Sequence, residues 1–388
     1  MRKKKLLVFA STFPRWREDT NPPFVYELSK RLTNDFDVSV LAPSYPGAKD
    51  FEVMDKMKVN RFHYFFKKYE KLAGSGGILP TLKKNFLFYF QVPFFLLGEY
   101  IALRKAVKEI KPDIIHAHWI IPQGWIASKI KKKFGVPYVV TSHGSDIMGL
   151  KGFTNIKKST LNNAKKITVV SNAIKKEILT KIDSSLKNKI NVIPMGVDTK
   201  LFNPNKKDNS LKRKYQIKGP FLLFVGRLAP EKGIDLLIEA MPKVLKKVST
   251  AKLMIIGRGT LEKELKQKVK DLDIQESIIF LGALRNNQLP KYYATADIFV
   301  CPSRREGSPV SYIESLACGT PIVVGDLPVS REIVGKDRGI ITNQNPEEIT
   351  AKIIKVMNNK FGRIRLRDFL IKSFDKEILK KKFIEVLR

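Results

Sequence analysis

The first evidence for the fold is the stretch Phe221-Leu222-Leu223-Phe224-Val225-Gly226-Arg227-Leu228-Ala229-Pro230-Glu231-Lys232-Gly233. Its first five residues are apolar without polar alternation, which is what a parallel strand covered on both faces requires. Gly226 and Arg227 end that strand, and Glu231-Lys232-Gly233 open a helical segment that continues through Ala240. A strand, a short loop and a helix in this order predict a βαβ unit of an α/β sheet.

The same alternation of strand and helix occurs in both halves of the chain. It predicts two Rossmann-like, doubly wound parallel-sheet domains, with ligand in the cleft at the carboxyl ends of their strands. The predicted strands are Lys5–Ala10, Asp37–Ala42, Val59–Phe65, Asp113–His118, Tyr138–Ser142, Lys166–Ser171, Asn191–Pro194, Phe221–Gly226, Lys252–Gly257, Ser277–Gly282, Asp297–Pro302, Pro321–Gly325 and Gly339–Thr342.

Turn-forming residues between positions 194 and 205 predict the boundary between the two domains. We therefore expect an N-terminal domain over residues 1–200 and a C-terminal domain over residues 201–362. Residues 363–388 have a helical pattern with no further strand, so we expect a helical tail that packs back on the N-terminal domain.

The composition describes a globular protein with a large positive charge. The 388 residues carry a formal net charge of +35, with 43% hydrophobic and 28% charged residues. Residues 1–200 hold 36 Lys and Arg against 16 Asp and Glu. Such a field favours polyanions, namely nucleic acid, anionic lipid or phosphorylated substrates, and a lysine-rich proteome explains it equally well. Cys301 and Cys318 lack a metal-type spacing, which favours a reduced cytoplasmic compartment.

An apolar run over residues 85–103, interrupted by Pro93 and Glu99, has basic and aromatic neighbours from position 56 onward. The two interruptions argue against a membrane span, and a helix that packs in the core remains an alternative. We expect residues 56–103 to form a surface that contacts an anionic membrane.

Two glutamates with seven residues between them stand in Arg305-Glu306-Gly307-Ser308-Pro309-Val310-Ser311-Tyr312-Ile313-Glu314. Ser308 is predicted to cap a helix whose first turn contains Pro309 and which ends near Cys318. The amides of Gly307 to Val310 then collect at a helix N-terminus, where an anion binds readily. The two carboxylates are suited to accept hydrogen bonds from vicinal hydroxyls, Glu306 on a sugar and Glu314 on a ribose.

The cations Arg227 and Lys232 follow the strand that opens the second half. Arg binds phosphate oxygens in pairs, Lys acts as a point charge, and together they offset the charge of a departing diphosphate. Gly257-Arg258-Gly259 adds a partial phosphate loop at the end of the next strand.

Three histidines in the first half lie at or near predicted strand ends. His143, in Ser142-His143-Gly144-Ser145-Asp146, is placed to hydrogen-bond a sugar hydroxyl. His116 and His118 alternate within a strand, and we interpret them as structural histidines, with His118 facing the cleft as the alternative.

Several other functional classes lack their motifs. The sequence has no Cys/His metal cluster, no Gly-x-Ser-x-Gly elbow and no complete Walker loop. Asp35-Phe36-Asp37 and Asp271-Leu272-Asp273 match an Asp-x-Asp pattern, but both fall at predicted turns.

Together these motifs resemble glycosyltransferase family 4, the retaining enzymes of the two-Rossmann-domain (GT-B) fold. The resemblance covers nearly the whole chain and is carried by Ser11–Arg15, Phe24–Leu28, Asp113–Trp119, His143–Asp146, Val192–Asp198, Val225–Asp235, Ile256–Gly259, Glu306–Glu314 and Ala317–Val323.

The resemblance implies a role for each matching residue. Arg227 and Lys232 would bind the donor diphosphate, Glu306 and His143 the donor sugar, and Glu314 the ribose, with Gly257 and Arg258 beside them. Ala283 and Leu284 match the loop that holds the base, and Asn21, His118 and Asp146 are candidates on the acceptor side. The family transfers by same-face substitution, so we expect no protein nucleophile, no cofactor and no essential metal.

The sequence therefore predicts a retaining transferase that moves a sugar from a UDP- or GDP-linked donor to a membrane-associated glycan or glycolipid. We expect it on the cytoplasmic face of the cell membrane. A nucleotide-sugar epimerase or a non-transferring sugar binder of the same fold is the alternative. Nucleic-acid binding is a remote one, because no reading motif accompanies the charge.

Overall fold

The computed structural model describes residues 2–17, 19, 24–73, 77–150, 152–335, 337–359 and 363–388, without the side chains of residues 84 and 363–365. It divides into two compact units. The first comprises Met1–Pro194 with Leu379–Arg388, and the second comprises Met195–Ile378. The sequence predicts this boundary at residue 200, six positions later, and predicts that the tail over residues 363–388 packs back on the N-terminal domain.

Each unit is built on one sheet, and the described strands number fourteen. The first unit contains β1 Lys4–Phe9, β2 Phe36–Pro43, β3 Phe51–Met54, β4 Met57–Phe62, β5 Ile114–His118, β6 Tyr138–Ser142, β7 Lys166–Val169 and β8 Ile190–Val192. The second contains β9 Phe221–Val225, β10 Lys252–Ile256, β11 Ile278–Gly282, β12 Ile298–Cys301, β13 Ile322–Gly325 and β14 Gly339–Thr342.

The described helices cover these sheets. They are α1 Phe24–Leu32, α2 Ile78–Lys84, α3 Val92–Ile110, α4 Trp125–Phe134, α5 Thr154–Asn163, α6 Asn172–Lys181, α7 Ser210–Lys214, α8 Ile234–Lys247, α9 Glu262–Asp271, α10 Leu289–Thr295, α11 Val310–Ala317, α12 Pro328–Val334, α13 Pro346–Asn358, α14 Arg363–Phe374 and α15 Lys376–Leu387.

Both sheets have the doubly wound topology that the sequence predicts. The first has the strand order β3-β4-β2-β1-β5-β6-β7-β8, and the second has the order β11-β10-β9-β12-β13-β14. All described pairings are parallel except β3 with β4. In each sheet the winding reverses beside the first strand, between β1 and β5 and between β9 and β12. Ligands of such sheets bind at this switch point, outside the carboxyl ends of the strands.

Residue periodicity explains the layers. Leu6, Leu7, Val8 and Phe9 of β1 are fully buried, as a strand covered on both faces must be. Helix α8 instead buries Ile234, Leu237, Ile238, Met241 and Val244, which recur at helical spacing and form one apolar face toward the sheet.

The C-terminal residues separate into two helices. Helix α14 contacts α11 in the second unit, whereas Leu379, Phe383, Val386 and Leu387 of α15 join the apolar core of the first unit. Phe383 lies 5.9 Å from the His116 ring, measured between ring centroids. The last ten residues therefore complete the first unit.

The apolar run near position 90 is helical over a longer range than predicted. A 3-10 helix, Phe86–Gln91, leads directly into α3, which buries Phe95, Glu99, Leu103, Ala106 and Val107. By length and composition alone, residues 86–110 would suffice to cross a membrane, and 22% of the most apolar window is buried.

Candidate functional site

The carboxyl edge of the second sheet collects the predicted donor-binding motifs. Arg227 follows β9, Gly257 and Arg258 follow β10, Ala283 and Leu284 follow β11, and Glu306 follows β12. Because β9 and β12 are neighbours, the loops that carry Arg227 and Glu306 flank the switch point of this sheet.

Glycines let these loops approach one another. Gly257 has φ +149°, and a Cβ there would lie 1.8 Å from the carbonyl oxygen of Gly226. Its amide donates to the Gly282 carbonyl at 2.9 Å, while the Leu228 amide donates to the Arg258 carbonyl at 3.0 Å. The ends of β9, β10 and β11 are thereby joined through the backbone. Sequence spacing marks this loop, but only the close packing explains why glycine is needed.

Lys232 and Glu306 form an ion pair between the loops after β9 and β12. The Lys232 Nζ donates to Glu306 Oε1 at 2.6 Å, and Ser303 Oγ donates to the same oxygen at 2.7 Å. The two side chains are 17% and 7% exposed. Burial lowers the pKa of Lys232, but the adjacent Glu306 carboxylate outweighs it, and the pKa lies above its ordinary value. The ammonium therefore stays charged in a largely desolvated position.

Arg227 is more accessible than Lys232. Its guanidinium donates to Glu231 at 2.6 Å, and 41% of the side chain is exposed. Arg227 and Lys232 lie five residues apart around a 3-10 turn, Pro230–Lys232, that ends at Gly233 with φ +64°. A Cβ at Gly233 would lie 2.1 Å from the Pro302 carbonyl oxygen, so this turn packs directly on the first residue after β12.

A second arginine, Arg304, braces the same loops and was not singled out from the sequence. Its guanidinium donates to both carboxylate oxygens of Asp235, at 2.8 and 2.7 Å, and to the Pro230 carbonyl at 2.7 Å. The Arg304 amide also donates to the Glu231 carbonyl at 2.8 Å. Arg304 thus fixes the distance between the two loops that carry Lys232 and Glu306.

Helix α11 begins one residue later than predicted. It starts at Val310 with Pro309 as the N-cap residue, and no side chain caps it, so Ser308 does not have the predicted capping role. Pro309 also has no N–H, and the amides that remain for an anion are those of Gly307, Ser308 and Val310. Glu306 lies just before the helix, as expected.

Glu314 lies on α11 with 6% of the residue exposed. Its carboxylate accepts hydrogen bonds from the Tyr293 hydroxyl at 3.0 Å and from Asn286 Nδ2 at 3.2 Å. Burial raises the pKa of Glu314 against the lowering effect of Tyr293, the Lys376 charge and Asn286. Asn286 and Tyr293 could not be identified from sequence patterns, because both contacts with Glu314 are tertiary.

In the first unit, His118 and His143 come together at the ends of β5 and β6. Their Nδ1 and Nε2 atoms, respectively, lie 3.0 Å apart, and the rings stack with 5.3 Å between centroids. Burial lowers the pKa of His143 to about 3 and that of His118 well below its ordinary value. Both imidazoles are neutral at physiological pH.

Asp146 is 2% exposed and has only internal bonds among its described contacts. It accepts from the Ile120 amide at 2.8 Å, from Ser142 Oγ at 2.8 Å and from the Gly144 amide at 3.1 Å. These bonds tie the loop after β5 to the loop that carries His143. Asn21, the third predicted acceptor-side residue, lies outside the described residues.

No group of three or more His, Cys, Asp or Glu side chains suited to a metal ion occurs within the part of the chain that the structure describes.

Two family models match the chain. The model described as Glycosyltransferase Family 4 matches residues 23–201, and the one described as Glycosyl transferases group 1 matches residues 206–374. An uncharacterised glycosyltransferase of Methanocaldococcus jannaschii is 30% identical over 288 residues, which cover 70% of this chain and 72% of the relative.

Two further comparisons add a characterised relative and a solved structure. A GDP-mannose-dependent α-(1-6)-phosphatidylinositol monomannoside mannosyltransferase of Mycolicibacterium smegmatis is 31% identical over 172 residues, covering 42% of this chain and 45% of the relative. The structure of sucrose-phosphate synthase from Thermosynechococcus elongatus superposes with a TM-score of 0.80 at 18% identity, covering 99% of this chain and 98% of that one.

The matches confirm the predicted fold and enzyme class. The two parallel sheets are those of the GT-B fold, and the family uses nucleotide-sugar donors. This chain is a glycosyltransferase and belongs to glycosyltransferase family 4.

Proposed function

We propose that this enzyme transfers a sugar, with retention of configuration, from a UDP- or GDP-linked donor to a hydroxyl of a membrane-associated glycan or glycolipid. The observation that carries the proposal is the Lys232–Glu306 pair beside Arg227 at the switch point of the second sheet. A buried ammonium and an accessible guanidinium flank one place where a diphosphate can lie.

Donor binding exchanges the partners of these cations. In the structure, Lys232 is paired with Glu306, and Arg227 with Glu231. A diphosphate offers several anionic oxygens and replaces the carboxylates as the acceptor of these hydrogen bonds. Glu306 then has an oxygen to accept bonds from hydroxyls of the transferred sugar, and Glu314 does the same for the ribose.

The same cations stabilise the transition state. The bond between the sugar C1 and the diphosphate oxygen breaks as the acceptor oxygen bonds to C1 on the same face. The acceptor proton passes to the departing phosphate oxygen, so the electron pair and the proton both end on the leaving group. Lys232 and Arg227 offset the charge that grows there, which is the role a metal fills elsewhere. We therefore propose that transfer needs no metal.

An exposed apolar face of the first unit supports a membrane-associated acceptor. Phe94, Leu97 and Ile101 lie on the exposed side of α3, opposite the residues it buries, and are 45%, 57% and 56% exposed. The preceding 3-10 helix continues this face with Phe86 and Phe90, 78% and 77% exposed.

Basic residues flank this apolar face. The exposed cations on either side of it in the sequence are Lys67, Lys68, Lys71, Lys83, Arg104, Lys105 and Lys108. Apolar side chains at the level of the headgroups, with lysines around them, suit an anionic bilayer. We propose that residues 66–108 dock the enzyme on the cytoplasmic face of the cell membrane, in keeping with two buried cysteine side chains that form no disulfide.

The relative from Mycolicibacterium smegmatis supports the same acceptor class, since its name specifies GDP-mannose as donor and a phosphatidylinositol monomannoside as acceptor. The net charge of +35 favours polyanions in general and does not single out nucleic acid. No described feature favours the epimerase alternative.

Binding of a panel of UDP- and GDP-sugars, measured by calorimetry in the presence of a chelator, tests the proposal. We expect one donor to bind wild-type protein, and Lys232→Met to weaken that binding at least about tenfold. The matched control is Lys212→Met. Lys212 pairs with Asp297 at 2.9 Å near the amino ends of β9 and β12, away from the proposed site at their carboxyl ends. The donor site would be refuted if wild-type protein bound no donor, or if Lys232→Met and Lys212→Met bound the donor equally well.

A further inference from the structure

The family resemblance places His143 against the donor sugar, and the proposed function assigns no role to the fully buried His118 beside it. His118 is 0% exposed, and its Nδ1 lies 3.0 Å from His143 Nε2. Both imidazoles are neutral, so one of the two nitrogens must carry the proton that makes this hydrogen bond. The direction of the bond decides what His143 offers to a ligand.

The other nitrogen of His118 resolves the direction. His118 Nε2 is buried and has no hydrogen-bond partner. If His118 accepted from His143, its own proton would sit on Nε2 as a buried, unpaired N–H. If His118 donates through Nδ1–H, only a lone pair on Nε2 is left unpaired. Orphaned buried N–H groups are the rarer and costlier case, so the second arrangement is preferred.

His116 follows the same rule. Its Nδ1 is buried without a partner, and its Nε2 lies 2.7 Å from Thr141 Oγ1, which in turn lies 2.5 Å from Thr168 Oγ1. With the proton on Nε2, His116 donates to Thr141 and again leaves only a lone pair unpaired. Its ring packs on His118 with 4.2 Å between centroids, which holds the His118 ring in place.

Aromatic contacts fix the His143 ring from other sides. Phe24 lies 4.9 Å and Trp119 4.8 Å from it, measured between ring centroids. His118 supplies a directional hydrogen bond to Nε2 of His143, and the two aromatic rings restrict rotation of the His143 side chain. His143 is also only partly buried, unlike His116 and His118.

We infer that His118 is a positioning residue that donates to His143 Nε2 and so fixes His143 as the tautomer with its proton on Nδ1. His143 then meets the donor sugar with an N–H, which bonds an oxygen lone pair. The opposite tautomer would present a bare nitrogen in that place. The inference rests on the proposed contact between His143 and the donor sugar, and it adds the direction of the hydrogen bond and the residue that sets it.

Three substitutions of His118 distinguish a role through its hydrogen bond to His143 from a role through the packing of its ring. In His118→Asn the side-chain amide nitrogen lies near the former Nδ1 and can still donate to His143. In His118→Gln the amide extends toward the former Nε2, and in His118→Phe the ring remains without any donor. His63→Gln is the control, because His63 belongs to the same unit but bonds Asp50 and Glu70 instead.

Nitrogen NMR of the full-length, histidine-labelled enzyme reads the tautomer directly. The chain contains four histidines, so the His143 signals can be identified by their loss in His143→Ala. We expect wild type and His118→Asn to show the proton on Nδ1, and His118→Gln and His118→Phe to lose this preference. A wild-type His143 protonated on Nε2 would overturn the inference.

Transfer kinetics supply the second readout. We expect kcat to fall about tenfold or more in His118→Gln and His118→Phe and to stay within about threefold of wild type in His118→Asn and His63→Gln. Wild-type kcat in all three His118 variants would overturn the inference while leaving the proposed function intact, provided that His143→Ala is impaired. Unimpaired transfer by His143→Ala would instead rule out the contact between His143 and the donor sugar, and this inference with it. If His118→Phe does not fold, the Asn and Gln variants and the wild-type spectrum decide.

Discussion

Lys232 donates to Glu306 at 2.6 Å and so joins the two loops that flank the switch point of the second sheet. The residues lie 74 positions apart and meet because β9 and β12 are neighbours. Within the proposed donor site, Glu306 therefore competes with the diphosphate for Lys232. Loss of Lys232 and loss of Glu306 should therefore have opposite effects on nucleotide binding.

Glu306→Gln should bind free UDP or GDP at least as tightly as wild type, because the amide no longer neutralises Lys232. Transfer should nonetheless fall about 100-fold, since Glu306 is also the proposed acceptor of bonds from the sugar. Calorimetry with the nucleotide and steady-state transfer assays measure the two effects. Weaker nucleotide binding together with normal transfer would contradict this assignment.

Glu314→Gln, in contrast, should weaken nucleotide binding. The carboxylate is the proposed partner of the ribose hydroxyls, so its loss should weaken binding of the free nucleotide about 10- to 100-fold. Because Tyr293 and Asn286 donate to Glu314, the neutral amide also loses acceptor capacity within the protein. Ser311→Ala, one turn earlier on the same helix, is the control. Equal nucleotide affinity in all three proteins would exclude Glu314 from the ribose site.

Gly257→Ala should destabilise the second unit. The residue has φ +149°, and a Cβ would lie 1.8 Å from the Gly226 carbonyl oxygen, so the backbone must move. A loss of about 2–4 kcal/mol is expected for a substitution of this kind. Gly226→Ala is the comparison, since a Cβ there would meet the Phe224 side chain no closer than 3.4 Å. Thermal unfolding of the two variants checks the difference, and equal melting temperatures would count against it.

The fold was predictable because its signal is local. Thirteen strands were predicted from apolar runs, and each has a counterpart in the structure. The missed strand, β3 Phe51–Met54, is short, mostly exposed and lies at the sheet edge. Its hairpin turns at Asp55 and Lys56 with φ of +46° and +69°, where no glycine or asparagine marks the turn.

The site was predictable only in part. Arg227, Lys232, Glu306 and Glu314 each follow or lie near a strand end, and parallel topology brings such residues to one edge. Arg304 with Asp235, and Tyr293 with Glu314, instead depend on how side chains from separate segments pack. The direction of the His118–His143 bond likewise depends on an unpartnered nitrogen that only the packed structure reveals.

The pH dependence of transfer should show no inflection from His143 near neutrality. An unperturbed histidine titrates near pH 6.5, whereas burial lowers the pKa of His143 to about 3. The neutral ring therefore persists throughout the working range. We expect kcat/KM to be flat between pH 6 and 8 for wild type and for His63→Gln. A limb near pH 6.5 that disappears in His143→Asn would contradict this assignment.

Glu99 should make the first unit less stable as the pH rises. Its side chain is fully buried, accepts one hydrogen bond from Gln123 Nε2 at 2.6 Å, and has an unpartnered Oε2. Burial raises the pKa of Glu99 well above its ordinary value. The folded protein thus keeps a proton that the unfolded chain loses above about pH 4.3, and stability falls from that pH up to the folded pKa.

Glu99→Gln removes this titration and keeps a group of the same shape. We expect the variant to gain thermal stability relative to wild type as the pH is raised from 5 to 8, with little difference at the acidic end. Melting curves at several pH values measure the gap. Parallel wild-type and variant curves across this range would show that Glu99 does not titrate as its burial implies.

Membrane docking should depend on the exposed side of α3. Leu97 and Ile101 lie one turn apart and are 57% and 56% exposed. Burial of each such side chain contributes about 1.5–3 kcal/mol, so the double variant Leu97→Glu/Ile101→Glu should reduce binding to vesicles at least tenfold. The matched control is Phe51→Glu/Val53→Glu, because these apolar residues of β3 are 56% and 54% exposed in the same unit.

Flotation with anionic and with neutral vesicles separates the apolar contribution of α3 from the electrostatic contribution of the lysines. Only the electrostatic contribution should weaken with salt or without anionic lipid. Equal flotation of both double variants, or none by wild type, would mean that this face meets something other than a bilayer.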